Sequence, residues 1–499
     1  MPVPVIESNN LIWPILVTLL APFGILALGS RPNYREGVSI AAGALTAALV
    51  LSFAPAVLGG HIYRCEVFRI LPGITVSFAM DGLGFIFAFI APFLWVFATS
   101  YNIGYMRGLN EHAQTRYYFC FAIAIFGAVG VALAANVFTL YLFYEIISVF
   151  TYPLVAHHQD EEGFHGAKKY LVYLMGTSKL FLLPAMVLTY VLAGTLEFPL
   201  GDIQRGIFPP EVIAGSPNLV RLAYVLFIAG LAKAALMPFH NWLPSAMVAP
   251  TPVSALLHAV AVVKAGVFSV SRIILSGFGT ETMTGLGLSL PTAYVAGFTI
   301  VAASLIALTK DDIKARLAYS TVSQLSYVVI GVALAAPAAV QGGLMHIGHH
   351  AFSKITLFFG AGAIYVASHL KSIKLMNGLG RRMPWTFGAF GLASLSMIGM
   401  PPVCGFVSKW YLVNGALDTG QLVLLVALLC STILNAGYFV PIFYRAFFLP
   451  PEPGSGVEEC HEAPLSMVVP LVFTSFVSVA LGIFPELFHD FIKAFGSFN

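Results

Sequence analysis

Charge is what this sequence is shortest of. Only 9% of its 499 residues are Asp, Glu, Lys or Arg, against about 25% in an ordinary soluble domain. So little charge excludes a water-facing globular surface. The net charge of +3 gives no sign of a nucleic-acid partner. Cysteine is also scarce: Cys65, Cys120, Cys404, Cys430 and Cys460 stand apart with no CxxC pair. That spacing argues against an iron–sulfur or zinc site, and an odd, scattered set is no disulfide framework. No GxxxxGK[ST] loop occurs, which argues against an ATP-driven pump. No connection is long enough for a large soluble domain; the longest run about 20–25 residues, near 60–78 and 194–219.

What is present is apolar. Hydrophobic residues make up 58% of the chain and the mean hydropathy is +0.87. The apolar runs are near 20 residues, the length of a membrane helix, not the alternating ten-residue segments of a membrane barrel. The predicted fold class is an all-α polytopic membrane protein with about fourteen transmembrane helices. The spans are 11–29, 38–59, 79–100, 117–135, 137–156, 169–193, 220–247, 253–275, 288–308, 317–336, 339–366, 386–413, 421–447 and 465–487. The first, from Leu11, has no basic region before it and reads as a retained span, not a cleaved signal. The acidic stretch PPEPGSGVEECHEAP (450–464) reads as an exposed inward linker.

Orientation follows from lysine and arginine in the connections. With the N-terminus outside, the inward loops hold Arg31, Arg35, Arg107, Arg116, Lys168, Lys169, Lys310, Lys314, Arg316, Lys371, Lys374, Arg381, Arg382 and Arg445. The outward side and its helix ends hold only Arg64, Arg69, Arg205, Arg221, Arg272 and Lys493. Both termini are therefore expected outside a bacterial or archaeal plasma membrane.

Five basic residues remain inside spans: Lys179, Lys233, Lys264, Lys354 and Lys409. A lysine at mid-bilayer costs ~2.5–3.5 kcal/mol on insertion scales, so five cost on the order of 10 kcal/mol. Such residues face a bundle interior or water and mark an ion or proton path. The stretch LMHIGHHAFSKITLFFG (344–360) concentrates the signal. His346, His350 and Lys354 stand at i, i+4 and i+8 on one helix face, spanning roughly 12 Å. With bridging water that is a proton relay, because one imidazole nitrogen accepts while the other donates. His349 lies off the face and reads as structural. A metal on His346 and His350 is the competing reading, but no clustered further ligands are evident.

Glu145 lies well inside the fifth span, in NVFTLYLFYEIISVFTYPLV. Asp81 lies near a helix start and reads as a cap. Lys233, in YVLFIAGLAKAALMPFHNWLP, is the natural partner for Glu145, since opposite charges stabilise each other's ionised forms. His258 and Lys264 share the next span but, six residues apart, not a face. Two lysine-bearing spans are interrupted: Pro238 follows Lys233, and Pro401 and Pro402 precede Lys409. Proline frees backbone carbonyls, which membranes tolerate where protein or water satisfies them. Paired interruptions point to inverted repeats around a central ion route. The expected organisation is 1–116 (helices 1–3), 117–275 (first five-helix repeat, helices 4–8), 288–447 (second repeat, helices 9–13) and 465–499 (helix 14 and the C-terminus).

The stretches around these residues resemble the antiporter-like subunits of respiratory complex I, membrane-bound hydrogenases and Mrp-type cation/proton antiporters. The resemblance rests on FYEIIS, on LAKAALMPFHNWLPSAMVAPTPVSALLHAVAVVKAGVF (231–268), on KDDIKARLAYSTVSQLSYV (310–328), on HIGHHAFSKITLFF and on GMPPVCGFVSKWYL. It is strongest over about 117–412 and is most like the Mrp D-type subunit, with lysine at 409 and no long C-terminal lateral helix. It implies discontinuous helices 7 and 12. It makes Glu145 and Lys233 a coupling pair, Lys264 and Lys354 central lysines, Lys409 a terminal lysine near the exit, and His258, His346 and His350 the links between them. Lys179, in YLMGTSKLFLLP, departs from the family pattern as a possible modifier of the coupling site.

The expected function is proton translocation through a hydrated Glu/Lys/His relay, in one subunit of a multisubunit complex. A monovalent cation/proton antiporter, coupling Na+ or K+, is the favoured setting. A complex I-like or hydrogenase pump, or a complex for proton-driven inorganic-carbon uptake, is the alternative. The expected partners are other membrane subunits and the lipid bilayer; no cofactor or metal is expected. Two other readings compete: a haem cytochrome ligated by His258 with His346 or His350, and a passive membrane anchor.

Overall fold

The computed structural model describes residues 4–452 and 456–496. Among them are eleven helices long and apolar enough to cross a membrane. A helix suits lipid because it satisfies its own backbone N–H and C=O groups. The helices run α1 (Ile12–Ala27), α2 (Pro32–Leu51), α3 (Gly82–Gly108), α4 (Gln114–Ala132), α5 (Val137–Val155) and α6 (Glu161–Ala193). Then come α7 (Pro217–Gly230), α8 (Val253–Phe278), α9 (Ser289–Thr309), α10 (Ile313–Ala333) and α11 (Pro337–Ser368). The rest are α12 (Pro384–Ile398), α13 (Cys404–Asp418), α14 (Leu422–Phe448), α15 (Leu465–Ile483) and α16 (Glu486–Phe495).

The two expected interruptions are present. Helix α7 stops at Gly230, and the chain passes through a short turn at Ala232–Ala234 before a helical turn at Trp242–Ser245. Helices α12 and α13 are separated by residues 399–403, with Gly399 at φ +93° closing α12. Side chains mark the helix starts. Asp81, Asn136, Asp160 and Asp312 each accept the backbone N–H of the residue three positions on, at 2.7–2.8 Å. Asp81 is thus the cap its position suggests.

Helix α8 is buried along its whole length and forms the centre, with α3, α10 and α11 packed on it. The outer helices keep an apolar face open: Leu20 and Phe23 on α1, Val191 on α6, Ile433 on α14 and Phe476 on α15 are exposed. That is the pattern of a bundle whose outer surface meets lipid. Helix α16 is amphipathic; Phe488, Ile492 and Phe495 face inward at helical spacing and pack on α3 and α11.

Three expectations change. First, the connection around 60–78 is a small sheet: β1 (Val5–Glu7) pairs in parallel with β2 (Ile62–Leu71), which pairs antiparallel with β3 (Ile74–Met80). Glu197 accepts from Arg64 at 2.8 Å, Thr75 at 2.7 Å and Asn136 at 2.8 Å, tying the sheet to α5. Second, the acidic linker is not simply exposed. Residues 453–455 lie outside the described residues, but Val457 and Cys460 are buried. The Glu462 carboxylate accepts from the N–H groups of Trp385 (2.7 Å) and Thr386 (3.2 Å), at the positive N-terminal end of α12. Third, three arginines assigned to loops or helix ends are buried. Arg35 pairs with Glu36, Arg272 pairs with Asp81, and Arg316 donates to the carbonyls of Lys310 and Tyr438.

Candidate functional site

The site is built around the two breaks. In the first, Lys233 is fully buried and its Nζ donates to the Tyr144 carbonyl at 2.8 Å and to Ser148 Oγ at 2.7 Å. The ammonium nitrogen also lies 3.2 Å from the centroid of the Tyr144 ring, a cation–π contact. The Ala232 carbonyl accepts both the Ala235 N–H and Trp242 Nε1, each at 2.9 Å, so the backbone at the break is satisfied by protein. Gly266 of α8 makes room for this break. A Cβ there would fall 2.3 Å from the carbonyl carbon of Lys233 and from the nitrogen of Ala234.

Glu145 follows Tyr144 on α5 and faces the other way. Its Oε2 accepts from Lys179 Nζ at 2.8 Å, and Lys179 also donates to the Tyr141 hydroxyl at 2.7 Å. The expected Glu145–Lys233 ion pair is therefore not formed; Glu145 pairs with Lys179. Nor is Lys179 enclosed, its side chain being 46% exposed at the bundle's edge. The reason is geometric: consecutive helix residues point about 100° apart, so Tyr144 and Glu145 meet different neighbours.

In the second break, Lys409 on α13 folds back onto the end of α12. Its Nζ donates to the Met397 carbonyl at 2.5 Å and to the Ile398 carbonyl at 3.2 Å. These carbonyls lose their helical partners where α12 stops, and a cation is favourable at that end of a helix. The Met397 carbonyl also accepts from Asn435 Nδ2 at 3.0 Å and Gln324 Nε2 at 3.3 Å.

Between the breaks runs a polar seam. Lys264 on α8 and Nδ1 of His350 on α11 are in hydrogen-bond contact. The His350 and His346 ring centroids are 5.8 Å apart, with no direct hydrogen bond between them. His346 pairs with Ser408 Oγ at 2.9 Å and with Gln324 Oε1 at 3.1 Å, and Gln324 leads to the Met397 carbonyl and Lys409. Lys354 takes a separate branch. Its Nζ donates to Ser320 Oγ at 2.8 Å; the Tyr438 hydroxyl lies 3.1 Å from the same oxygen and donates to Asn435 Oδ1, and Asn435 again reaches Met397.

The structure thus joins Lys264, His350, His346, Lys354 and Lys409 in one buried region. His258 stays apart: its ring nitrogens have no hydrogen-bond partner among the described residues, and it packs edge-on to Tyr170 and Trp242. His349 is likewise buried without a polar partner, beside Phe488. None of Lys233, Lys264, Lys354 or Lys409 is in an ion pair among the described residues. They are held by carbonyls, hydroxyls and an imidazole. The sequence reading misses Ser320, Gln324, Ser408, Asn435 and Tyr438. The one local signal was the i, i+4 spacing of Ser320 and Gln324 within the Ser/Thr-rich middle of α10.

On the side of the inward-assigned loops a cavity of about 600 Å³ opens between α3, α10 and α11, lined by Glu111, His158, Asp160, Asp312, Lys314 and Lys371 among others.

Comparison with known proteins gives a consistent picture. A family model described as NADH:quinone oxidoreductase/Mrp antiporter, TM, matches residues 134–435. Subunit N of the NADH-quinone oxidoreductase of Desulforudis audaxviator is 33% identical over 494 residues, covering 95% of this chain and 96% of that protein. A Na(+)/H(+) antiporter protein of Alkalihalophilus pseudofirmus is 29% identical over 83% of this chain, but only 53% of that longer protein is spanned. Among solved structures, the fold matches a chain of the Mrp complex from Dietzia with a TM-score of 0.83 at 21% identity, covering 96% of each chain. It also matches a chain of an archaeal membrane-bound sulfane sulfur reductase with a TM-score of 0.85 at 22% identity, covering 98% and 97%.

Proposed function

Because this chain belongs to the NADH:quinone oxidoreductase/Mrp antiporter family of transmembrane subunits, we infer that it moves protons along the buried lysine–histidine seam. The observation that carries this is the hydrogen-bonded run linking His346 and Lys354 to Lys409 through Gln324, Ser320, Tyr438, Asn435 and the Met397 carbonyl. Hydroxyls and imidazoles both accept and donate, as a relay requires, whereas the Met397 carbonyl only accepts and holds Lys409 in place, so the last step to Lys409 passes through water beside it. Water bridges the remaining gaps, between His350 and His346 and between Lys233 and Lys264. His258 contributes on the inward side, where its unpartnered nitrogens offer water a site.

Coupling acts at Glu145. We read its bond to Lys179 as one of two positions, the other facing Lys233. When Glu145 turns toward Lys233 it holds that lysine charged. When it turns back to Lys179, Lys233 is left without an anion and its proton moves toward Lys264. The two halves, 117–275 and 288–447, act as inverted repeats, each contributing one broken helix. The termini lie outside, in a bacterial or archaeal plasma membrane, as the basic loops suggest.

The favoured setting is a cation/proton antiporter complex of Mrp type, in which Na+ or K+ is exchanged for protons. A proton-pumping oxidoreductase is the second reading, supported by the near full-length similarity to a subunit N. In either, other membrane subunits surround this chain. The deciding experiment is proton transport by the assembled complex in vesicles, with Lys233→Ala and Lys354→Ala. Both variants assemble and lose transport; full transport in both overturns the relay. The co-purifying subunits distinguish the settings: small ion-transport subunits for the antiporter, redox subunits for the pump.

A further inference from the structure

Four ionisable side chains on the inward-assigned side take no part in the seam. Glu111 and His112 lie in the loop between α3 and α4, and His157 and His158 in the loop between α5 and α6. Ligand atoms of Glu111, His112 and His157 all lie within 4.8 Å of one another. His157 is fully buried, and neither of its ring nitrogens has a hydrogen-bond partner among the described residues. Its Nε2 points at Glu111 Oε2 from 3.5 Å, and His158 Nδ1 approaches the same oxygen at 3.6 Å. The His112 and His157 rings stack with centroids 4.8 Å apart.

Those separations are long for N–H···O hydrogen bonds. The 3.5 Å between His157 Nε2 and Glu111 Oε2 fits the edge of a metal tetrahedron, and the wider pairs of the set, all within 4.8 Å, close onto an ion by small side-chain rotations. With bonds of about 2.1 Å to zinc, neighbouring ligand atoms sit roughly 3.4 Å apart. Two imidazoles and one carboxylate are also a recurrent zinc set, and imidazole selects zinc-like ions over magnesium or calcium.

The loops that present them are fixed by their own hydrogen bonds. Asn110 and Ala113 hold φ of 51° and 48° on either side of Glu111 and His112. Gln114 Nε2 donates to the Glu111 carbonyl at 3.1 Å, and Arg116 donates to the His157 carbonyl at 3.1 Å. Ligands held this way lose little freedom on binding.

We propose that Glu111, His112 and His157 form a binding site for a zinc-type divalent cation at the rim of the inward-side cavity, with His158 or water in the fourth position. Glu111 and His158 also line that cavity, so a bound ion sits at its mouth, near Lys314 and Lys371.

The test is metal binding to the intact complex, without reference to transport. The purified complex is stripped with a chelator and titrated with zinc chloride, then with cobalt chloride. One ion per copy of this chain is expected, with the visible absorption of a four-coordinate cobalt centre. His112→Ala and His157→Ala each weaken binding at least tenfold and remove the cobalt band. His112 is exposed, so its variant keeps the fold even if the His157 variant does not. Binding equally tight in the His112 variant, or no saturable binding by the parent complex, overturns the site. Because binding is read directly, its failure leaves the proton relay standing, and failure of the relay leaves the site standing.

Discussion

Lys179 Nζ lies 2.8 Å from Glu145 Oε2, while Lys233 is turned to the carbonyl of the preceding residue, Tyr144, at the same distance. One helical position therefore separates the two lysines' attachments. The carboxylate has a partner at the bundle's edge and a second cation on the inner side of the same helix.

Lys179→Met tests that arrangement. The Lys179 side chain is nearly half exposed, so the pair contributes at most about 1 kcal/mol to stability. Thermal stability of the complex should change little. Transport should fall by about tenfold or more, the equivalent of one ~1.4 kcal/mol step, because Glu145 loses its second position. Transport at the parent rate, measured in vesicles with a pH-sensitive dye, would remove Lys179 from the coupling scheme.

Asp81 and Arg272 behave differently. Arg272 grips Asp81 with two hydrogen bonds of 2.6 and 2.9 Å, both side chains almost wholly enclosed. Removing one partner of such a pair costs about 3–5 kcal/mol, because the other charge stays buried and alone. Arg272→Met should lower the melting temperature sharply. The double variant Asp81→Asn with Arg272→Met should recover part of the loss, since Asn retains the helix cap. Thermal unfolding in detergent checks both, and a double variant worse than the single one contradicts the account.

Tyr438→Phe removes one hydroxyl from the branch between Lys354 and Lys409. The ring and its packing are kept, so assembly should be intact. Proton transport should drop by about tenfold, while Tyr444→Phe, on an exposed face of the same helix, should leave it unchanged. Equal rates in the two variants would show that the branch carries no protons.

Gly266→Ala probes the first break. The added methyl would sit 2.3 Å from Lys233 backbone, so that segment must shift. Overpacking of this kind costs about 1–3 kcal/mol. The expected result is an assembled complex with transport reduced more than stability. A variant with parent-like transport would mean that the lysine's placement tolerates movement.

Much of this was legible in the sequence. Long apolar runs gave the helices, because backbone satisfaction in lipid leaves few alternatives. Prolines marked both breaks, and buried lysines marked the seam, because each is too costly to place without cause. The pairing of Glu145 was not legible, since it depends on how α5 rotates against α6. Nor were Ser320, Gln324, Asn435 and Tyr438: uncharged polar residues are cheap in a membrane helix and stand out only once their neighbours are known. The hairpin 62–80 had a readable sign, a Pro72–Gly73 turn between two runs rich in β-branched and aromatic residues. Gly73, at φ +77°, adopts the left-handed conformation such a turn needs.

The oxygen of Met397 has two lone pairs and three suitors: the ammonium of Lys409, the amide of Asn435 and the amide of Gln324. Whenever the lysine lets go, the two amides can tighten and draw their own neighbours, Tyr438 on one flank and His346 on the other, a little closer. In the proposed relay, a single backbone atom at the end of a stopped helix would thereby make release of a proton from Lys409 felt on both flanks.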